Sequence, residues 1–234
     1  MSAAQTMLFQ ETAARRSSEF SASDCSAFRT IVADPPWKVK AGRDLGGYVV
    51  EDGKQVWDQT HQAARDLKYP AMTVEEICAL PVAKLADENA HLYIWTINKY
   101  VEQTYAVARA WGFEPSTMLV WAKTPFGAGL GGAYGISTEY VLFCRRGTLP
   151  AKGRVTGTWW NWKRPYNEAG KPQHSAKPEA FQTMVESVSP GPYLELFARR
   201  KRHGWTSIGN GIDGKDITDS INLLATQSQN NPKI

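Results

Sequence analysis

Asp34, Pro35, Pro36 and Trp37 follow directly on the apolar run Thr30-Ile31-Val32-Ala33. A β-branched run of this kind reads as a buried strand. Neither proline has an N–H to donate, and each fixes φ at about −65°, so a central strand cannot continue through them. The chain therefore leaves its sheet at Asp34 in a nearly fixed geometry. Ligands of α/β sheets bind just past the carboxyl ends of strands. An acid, backbone carbonyls of set direction and a flat indole at such a point make a pocket for a planar ring that carries an amine.

The exocyclic amine of adenine is a poor nucleophile, because its lone pair is delocalised into the ring. A site that alkylates it must draw the nitrogen toward tetrahedral geometry. Hydrogen bonds from its N–H groups to a carboxylate and a carbonyl do this as charge develops. Asp34 offers the carboxylate, the Pro35 carbonyl is a rigid second acceptor, and Trp37 is placed to stack on or wall the ring. Such chemistry needs orientation and electrostatics, with neither a metal nor a covalent nucleophile. The same four residues also fit a plain strand-ending turn, and taken alone they leave both readings open.

The remaining elements are those of an α/β domain. Residues 1–26 are polar, rich in Ala and Ser, and read as an arm. Residues 38–68 lack a clear period and read as a long loop with room for one short hairpin. Thr73 with Glu76 resembles a capping box that opens a helix, and Pro81 divides this segment. Residues 91–97 form a second apolar strand. Asn98 then caps a helix with Val101, Tyr105, Ala108 and Trp111 on one face, and Gly112 ends it. Residues 117–122 and 138–144 are further strands, separated by a glycine-rich loop over 123–135. Pro178 starts a helix whose buried stripe is Phe181, Met184, Val185 and Val188. Residues 193–198 and 205–208 close the pattern. Alternating strands and helices predict a mostly parallel sheet with helices on both faces. The expected organisation is an arm at 1–26, one domain over 27–219 and a polar tail over 220–234.

The 234 residues suit one domain, and 42% hydrophobic with 21% charged residues is ordinary for a soluble globular protein. The net charge of +4 is unevenly placed. Residues 145–203 hold 12 Lys/Arg against 4 Asp/Glu, a local excess that suits a polyanionic partner. Cys25, Cys78 and Cys144 match neither a disulfide framework nor a zinc spacing, which points to a reducing cytoplasm. No apolar run is long enough for a signal peptide core or a membrane span.

Trp159-Trp160-Asn161-Trp162-Lys163-Arg164-Pro165-Tyr166 interleaves aromatics with cations, a mixture that stacks on unpaired bases and neutralises phosphates. Trp160, Lys163 and Arg164 are its candidate nucleic-acid contacts; packing of two of the tryptophans into the core is the alternative. Lys123, at the base of the glycine-rich loop, is a candidate phosphate contact. Arg200-Lys201-Arg202-His203 reads as a solvated loop or a second phosphate contact.

Asp34-Pro35-Pro36-Trp37 resembles the catalytic signature of the mRNA-adenosine-N6-methyltransferase (MT-A seventy) family. The resemblance continues in order from about Arg29 to Asp213. Tyr69-Pro70-Ala71-Met72-Thr73 is similar to the family's Tyr-Pro-x-Met-Ser/Thr segment, and Trp121-Ala122-Lys123 to its Trp-x-Lys stretch. Thr138-Glu139-Tyr140 stands where the family has a pocket glutamate, and His174-Ser175-Ala176-Lys177-Pro178 resembles its His-Ser-x-Lys-Pro motif. Glu195-Leu196-Phe197-Ala198-Arg199, Gly204-Trp205 and Gly209-Asn210 resemble its terminal cofactor-binding block. Two positions depart from the pattern: Ala198 where the family often has Gly, and Gly211 where Gln is common.

The resemblance implies a Rossmann-like methyltransferase fold in permuted order, with the catalytic motif before the cofactor strand. It implies S-adenosyl-L-methionine as cofactor, contacted by Asp34, Lys177, Glu195, Phe197, Arg199, Asn210 and Gly211. Tyr69 and Glu139 would line the base pocket. The implied activity is adenine-N6 methylation of a nucleic acid, with DNA favoured because no RNA-recognition module accompanies the domain. The alternatives are RNA methylation and a catalytically silent nucleic-acid-binding subunit, against which the intact Asp34 motif argues. A homodimer or a heteromeric partner is compatible with the resemblance. The location it implies is the cytoplasm of a bacterium, or of a host if the chain is phage-encoded.

Overall fold

The computed structural model describes residues 27–38, 47–58, 71–123, 134–166, 170 and 176–230. Tyr69, His174, the 1–26 arm and most of the glycine-rich loop lie outside these residues. Strand β1 (Phe28–Ala33) enters the catalytic motif. The hairpin expected within 38–68 is β2 (Gly47–Glu51) with β3 (Lys54–Asp58), paired antiparallel. Next come α1 (Val74–Ala79), β4 (Ala86–Thr96), α2 (Val101–Ala110), β5 (Glu114–Ala122), β6 (Thr138–Arg146) and β7 (Trp159–Trp160). Helix α3 (Glu179–Val188), β8 (Tyr193–Leu196), β9 (Trp205–Ile208), α4 (Asn210–Asp213) and α5 (Ile217–Asn230) follow among the described residues.

Among the described residues, seven strands form one sheet in the order β7-β5-β6-β4-β1-β8-β9. The β1–β4, β1–β8, β8–β9 and β5–β7 pairs are parallel, and only β6 runs against its neighbours β4 and β5. Both faces of the central strands are covered, so apolar residues occupy both parities. In β4, Leu92 and Ile94 face one core while Tyr93 and Trp95 face the other. Helices α1, α2 and α5 cover the first face, and α3 covers the second through Phe181, Met184 and Val185. This is the Rossmann-like arrangement the resemblance implied. Glu76 and Thr73 cap α1 reciprocally, as their spacing predicted. Trp111 ties α2 to α1 by donating to the Ile77 carbonyl at 2.9 Å.

Three expectations change. Residues 220–230 are not a polar tail. They belong to α5, where Ile217, Ile221 and Ala225 are buried at helical spacing. Polar composition masked that narrow apolar stripe. Asn98 does not cap α2; it opens a single 3-10 turn, and α2 starts at Val101. The third sheet strand by sequence starts at Glu114 and carries Pro115 at a register shift, one of the places a sheet tolerates proline.

Strand order reverses at β1. The chain goes from β1 to β4 on one side and returns through α3 to β8 on the other. Ligand crevices of open α/β sheets form at such a switch point, outside the carboxyl ends of the strands. Asp34 and Phe197 each follow directly on a strand end at this point. Because β6 runs in reverse, its first residues, Thr138 and Glu139, lie at that same edge.

Candidate active site

A line of alternating charges crosses the edge of the sheet. The Lys177 ammonium, just before α3, lies 2.9 Å from Asp34 Oδ2 and 3.2 Å from Glu139 Oε2. Lys123, just past β5, lies 2.5 Å from Glu139 Oε1. All four side chains are largely buried, so these pairs are weakly screened by solvent. Burial pushes the Asp34 carboxyl above its ordinary range, and the Lys177 ammonium partly offsets this. Burial also opposes ionisation of Glu139, but Lys177 and Lys123 outweigh it and hold that carboxyl below its usual value. The charge of Lys177 survives its own burial because Asp34 and Glu139 together raise its pKa. Its ammonium also sits 5.2 Å from the centre of the Trp95 ring.

The turn that aims Asp34 is fixed from four sides. The Trp37 N–H donates to the Pro35 carbonyl at 2.9 Å, closing a three-residue turn. The Met72 N–H donates to the Pro36 carbonyl at 2.9 Å. Trp37 Nε1 donates to the Trp95 carbonyl at 3.0 Å. Tyr100 stacks on the Trp37 indole with ring centres 5.1 Å apart, and its hydroxyl donates to the Lys38 carbonyl. Trp37 is thus 5% exposed and belongs to the core. The expectation that its ring walls the base is corrected: the indole braces the turn from beneath. The Pro35 carbonyl keeps a second lone pair for a ligand.

The basic aromatic stretch is likewise sorted by burial. Trp160 stacks on Trp162 at 4.9 Å, and both pack against the core under α3, so Trp160 is not a free base platform. Trp121 Nε1 holds the Trp162 carbonyl at 2.8 Å. Trp159, of opposite parity, is 65% exposed, and Lys163 is exposed as well. Arg164 is half-buried, and its Nε is a buried atom without a hydrogen-bond partner among the described residues. The run 200–203 is not a free loop: Arg200 pairs with Glu179 and Arg202 with Glu186, both on α3.

At the end of β8, Phe197 takes a left-handed φ of 62°, a costly conformation for a bulky residue and one that clusters at functional sites. The β9–α4 turn beds onto it. A Cβ at Gly209 would lie 2.6 Å from the Ala198 nitrogen, and one at Gly211 would lie 2.9 Å from the Arg199 Cα. Glycine at 211 is therefore what this close approach needs. Asn210 is exposed at the mouth, and Arg199 lies near enough to act electrostatically on Asp34. Glu195, one layer deeper on β8, accepts a hydrogen bond from Gln182 Nε2 at 2.8 Å.

Sequence reasoning missed Trp95, Tyr100 and Gln182. Gln182 left a signal, since it is a polar residue inside the buried stripe of α3. His91 is a buried structural residue between Ser189 and the Leu149 carbonyl.

Burial, then the Asp34 charge, raises the Glu195 pKa from 4.5 to about 7. A carboxyl with a raised folded-state pKa stabilises the fold below its unfolded value and loses that contribution as pH rises through 7. Glu195→Gln is therefore expected to be more stable than wild type at pH ~8, by about 3 kcal/mol at most, and to lose that advantage at pH ~4. Urea unfolding at the two pH values measures this; a pH-independent difference would refute it.

The sequence profile of the MT-A70 family matches residues 28–211. The chain belongs to the MT-A70 family. The matched span contains the Asp34 motif, the Lys123–Glu139–Lys177 charges and the whole β8–β9 block. Among curated relatives, the chain is 28% identical over 200 residues to the type II methyltransferase M.MunI of a Mycoplasma species, covering 81% of this chain and 80% of that protein. It is 23% identical over 215 residues to the human N(6)-adenosine-methyltransferase catalytic subunit METTL3, covering 82% of this chain but 29% of that protein. A Drosophila melanogaster MT-A70-like N(6)-adenosine-methyltransferase is 24% identical over 225 residues, again with 29% of its length covered. Among the described residues, no helix of this MT-A70 chain is long and apolar enough to cross a membrane.

Proposed function

We propose that this MT-A70 protein is an S-adenosyl-L-methionine-dependent adenine-N6 methyltransferase acting on DNA. The observation that carries the reading is Asp34, buried at the switch point and held by Lys177 through one oxygen, Oδ2. In this reading the other oxygen accepts a hydrogen bond from the adenine amine. The second lone pair of the Pro35 carbonyl accepts the other N–H. Together they favour tetrahedral nitrogen as charge develops, and the braced turn makes the geometry available before substrate arrives. Tyr69 and Glu139 complete the base pocket in this reading, and Trp159, Lys163 and Arg164 meet the flanking strand. The amine is unreachable inside a stacked duplex, so the adenine must be splayed or flipped into the crevice.

The crevice suits the cofactor's chemistry. Asp34 and Glu195 are acids for its cationic sulfonium and ammonium, Lys177 and Arg199 are cations for its carboxylate and hydroxyls, and the Gly209–Gly211 turn brings backbone close to Phe197. Bound there, the cofactor supplies an electrophilic methyl group. DNA is favoured because the type II methyltransferase matches along most of both chains, whereas the N(6)-adenosine-methyltransferases match over under a third of their length. RNA remains the second reading on the strength of those same relatives. The test offers a mixed DNA and RNA pool with labelled methyl donor and maps the modified positions. Label at adenine N6 in DNA, lost in Asp34→Ala, is expected. Equal labelling by wild type and variant would sink the proposal, and label in RNA alone would transfer it to the second reading.

A further inference from the structure

Methyl transfer to an amine releases a proton, and the charged line at the sheet edge offers it no ready home. Asp34 is held by Lys177, and Glu139 by two lysines. Glu195 differs, being held by a neutral amide, Gln182 Nε2, at 2.8 Å. It pairs with Val32 across β1–β8, so its side chain shares a face with Asp34, two residues further along β1. Diagonal neighbours of this kind have backbones about 7–8 Å apart, within reach of long side chains.

Two buried polar atoms beside Glu195 lack partners among the described residues, Gln182 Oε1 and Ser207 Oγ. Ser207 is the register partner of Glu195 on β9. An amide such as Gln182 serves both forms of a carboxyl. As placed, its Nε2 donates to a carboxylate; turned over, its Oε1 accepts from a carboxylic acid and ceases to be an orphan.

We propose that Glu195 is the proton acceptor of this site: it gives up a proton when the cationic methyl donor binds beside it, and takes one up when methylation is complete. The inference rests on S-adenosyl-L-methionine being the cofactor of this crevice. In the balance, the C–N bond forms, the S–C bond breaks with its electron pair left on sulfur, and an N–H bond breaks with its proton passing to the Glu195 carboxylate. The positive charge that kept Glu195 ionised disappears in the same event, so the acid gains proton affinity as the proton is released. The surrounding charges permit this exchange. Burial and Asp34 on β1 raise its pKa to about 7. Arg200 and Arg202 oppose the rise, but Glu179 and Glu186 of α3 already occupy them. Gln182 of α3 and Ser207 of β9 are neutral.

The test is calorimetric. S-adenosylmethionine and S-adenosylhomocysteine are each titrated into the full chain near neutral pH, in two buffers of different ionisation enthalpy. Wild type is expected to release a large fraction of a proton with the sulfonium ligand and little with the thioether. Glu195→Gln should bind both ligands with no such difference. It should lower kcat about 100-fold and weaken the sulfonium ligand more than the thioether, because the donor and the ionised acid favour each other reciprocally. Gln182→Met keeps the packing volume, removes the amide, and should move the midpoint of proton release to higher pH. Donor binding without proton release in wild type overturns the role of Glu195 alone, as does equal release in Glu195→Gln. Failure of either ligand to bind overturns the cofactor reading as well.

Discussion

Asp34→Asn is expected to slow methyl transfer by about 100- to 1000-fold, the range found when one charge-stabilising group is removed from a preorganised site. The amide has the shape of the carboxylate, and the turn around it is fixed by contacts that do not involve the side chain. Those are the Trp37 indole on the Trp95 carbonyl and the Met72 N–H on the Pro36 carbonyl. The fold should therefore survive. What changes is charge and polarity: the amide loses the negative charge that the amine's developing charge needs, and its NH₂ group competes with the Lys177 ammonium. Initial rates with labelled methyl donor measure the effect, with circular dichroism as the check on folding. A variant that folds normally and transfers methyl at close to the wild-type rate would remove Asp34 from the chemistry.

Lys177→Met should act on stability as well as on rate. Lys177 is the shared counter-charge of two buried carboxyls, at 2.9 Å and 3.2 Å. Removing one partner of a buried charge network leaves the others uncompensated, at a cost of about 3–5 kcal/mol. The pH dependence identifies the cause. In wild type, Glu139 has a depressed pKa, so its contribution is present above the ordinary carboxyl value and is lost as pH falls through the folded-state value. In the variant, Asp34 and Glu139 can relieve their repulsion by taking up protons. The destabilisation should thus be largest near pH 8 and shrink toward pH 5, in urea midpoints of both proteins. Lys177→Arg should restore most of the stability. A loss that stays constant with pH would mean that packing against Trp95, rather than charge, is what Lys177 supplies.

Asp34 was legible because two prolines after a β-branched run leave the chain few routes, and the structure follows the route they dictate. The capping box of α1, and the proline start and apolar stripe of α3, were legible for the same local reason. The orientation of side chains around a turn is set by distant partners instead. Trp37 looked like a base platform because nothing local shows that Trp95 and Tyr100 lie beneath it. Trp160 and Trp159 differ by one position in a two-residue strand, and that parity decides which ring is buried. Glu139 came only from the resemblance. Its place beside Lys177 depends on β6 running in reverse, which no periodicity within β6 reveals. Strand lengths were underestimated where polar residues such as Asp87 and Glu88 continue β4 beyond its apolar centre.

The position of β1 in the sheet also orders events in time. A ribosome makes Thr30 early and its partner Tyr193 late, so one side of β1 stays unpaired through most of synthesis. Pairing across such a separation is slow, and an open strand edge invites association with other chains. Asp34 is exposed to the same wait, since its counter-charge Lys177 emerges only shortly before β8. A nascent chain therefore holds its acid without its base, and methyl transfer becomes possible only as the last strands dock.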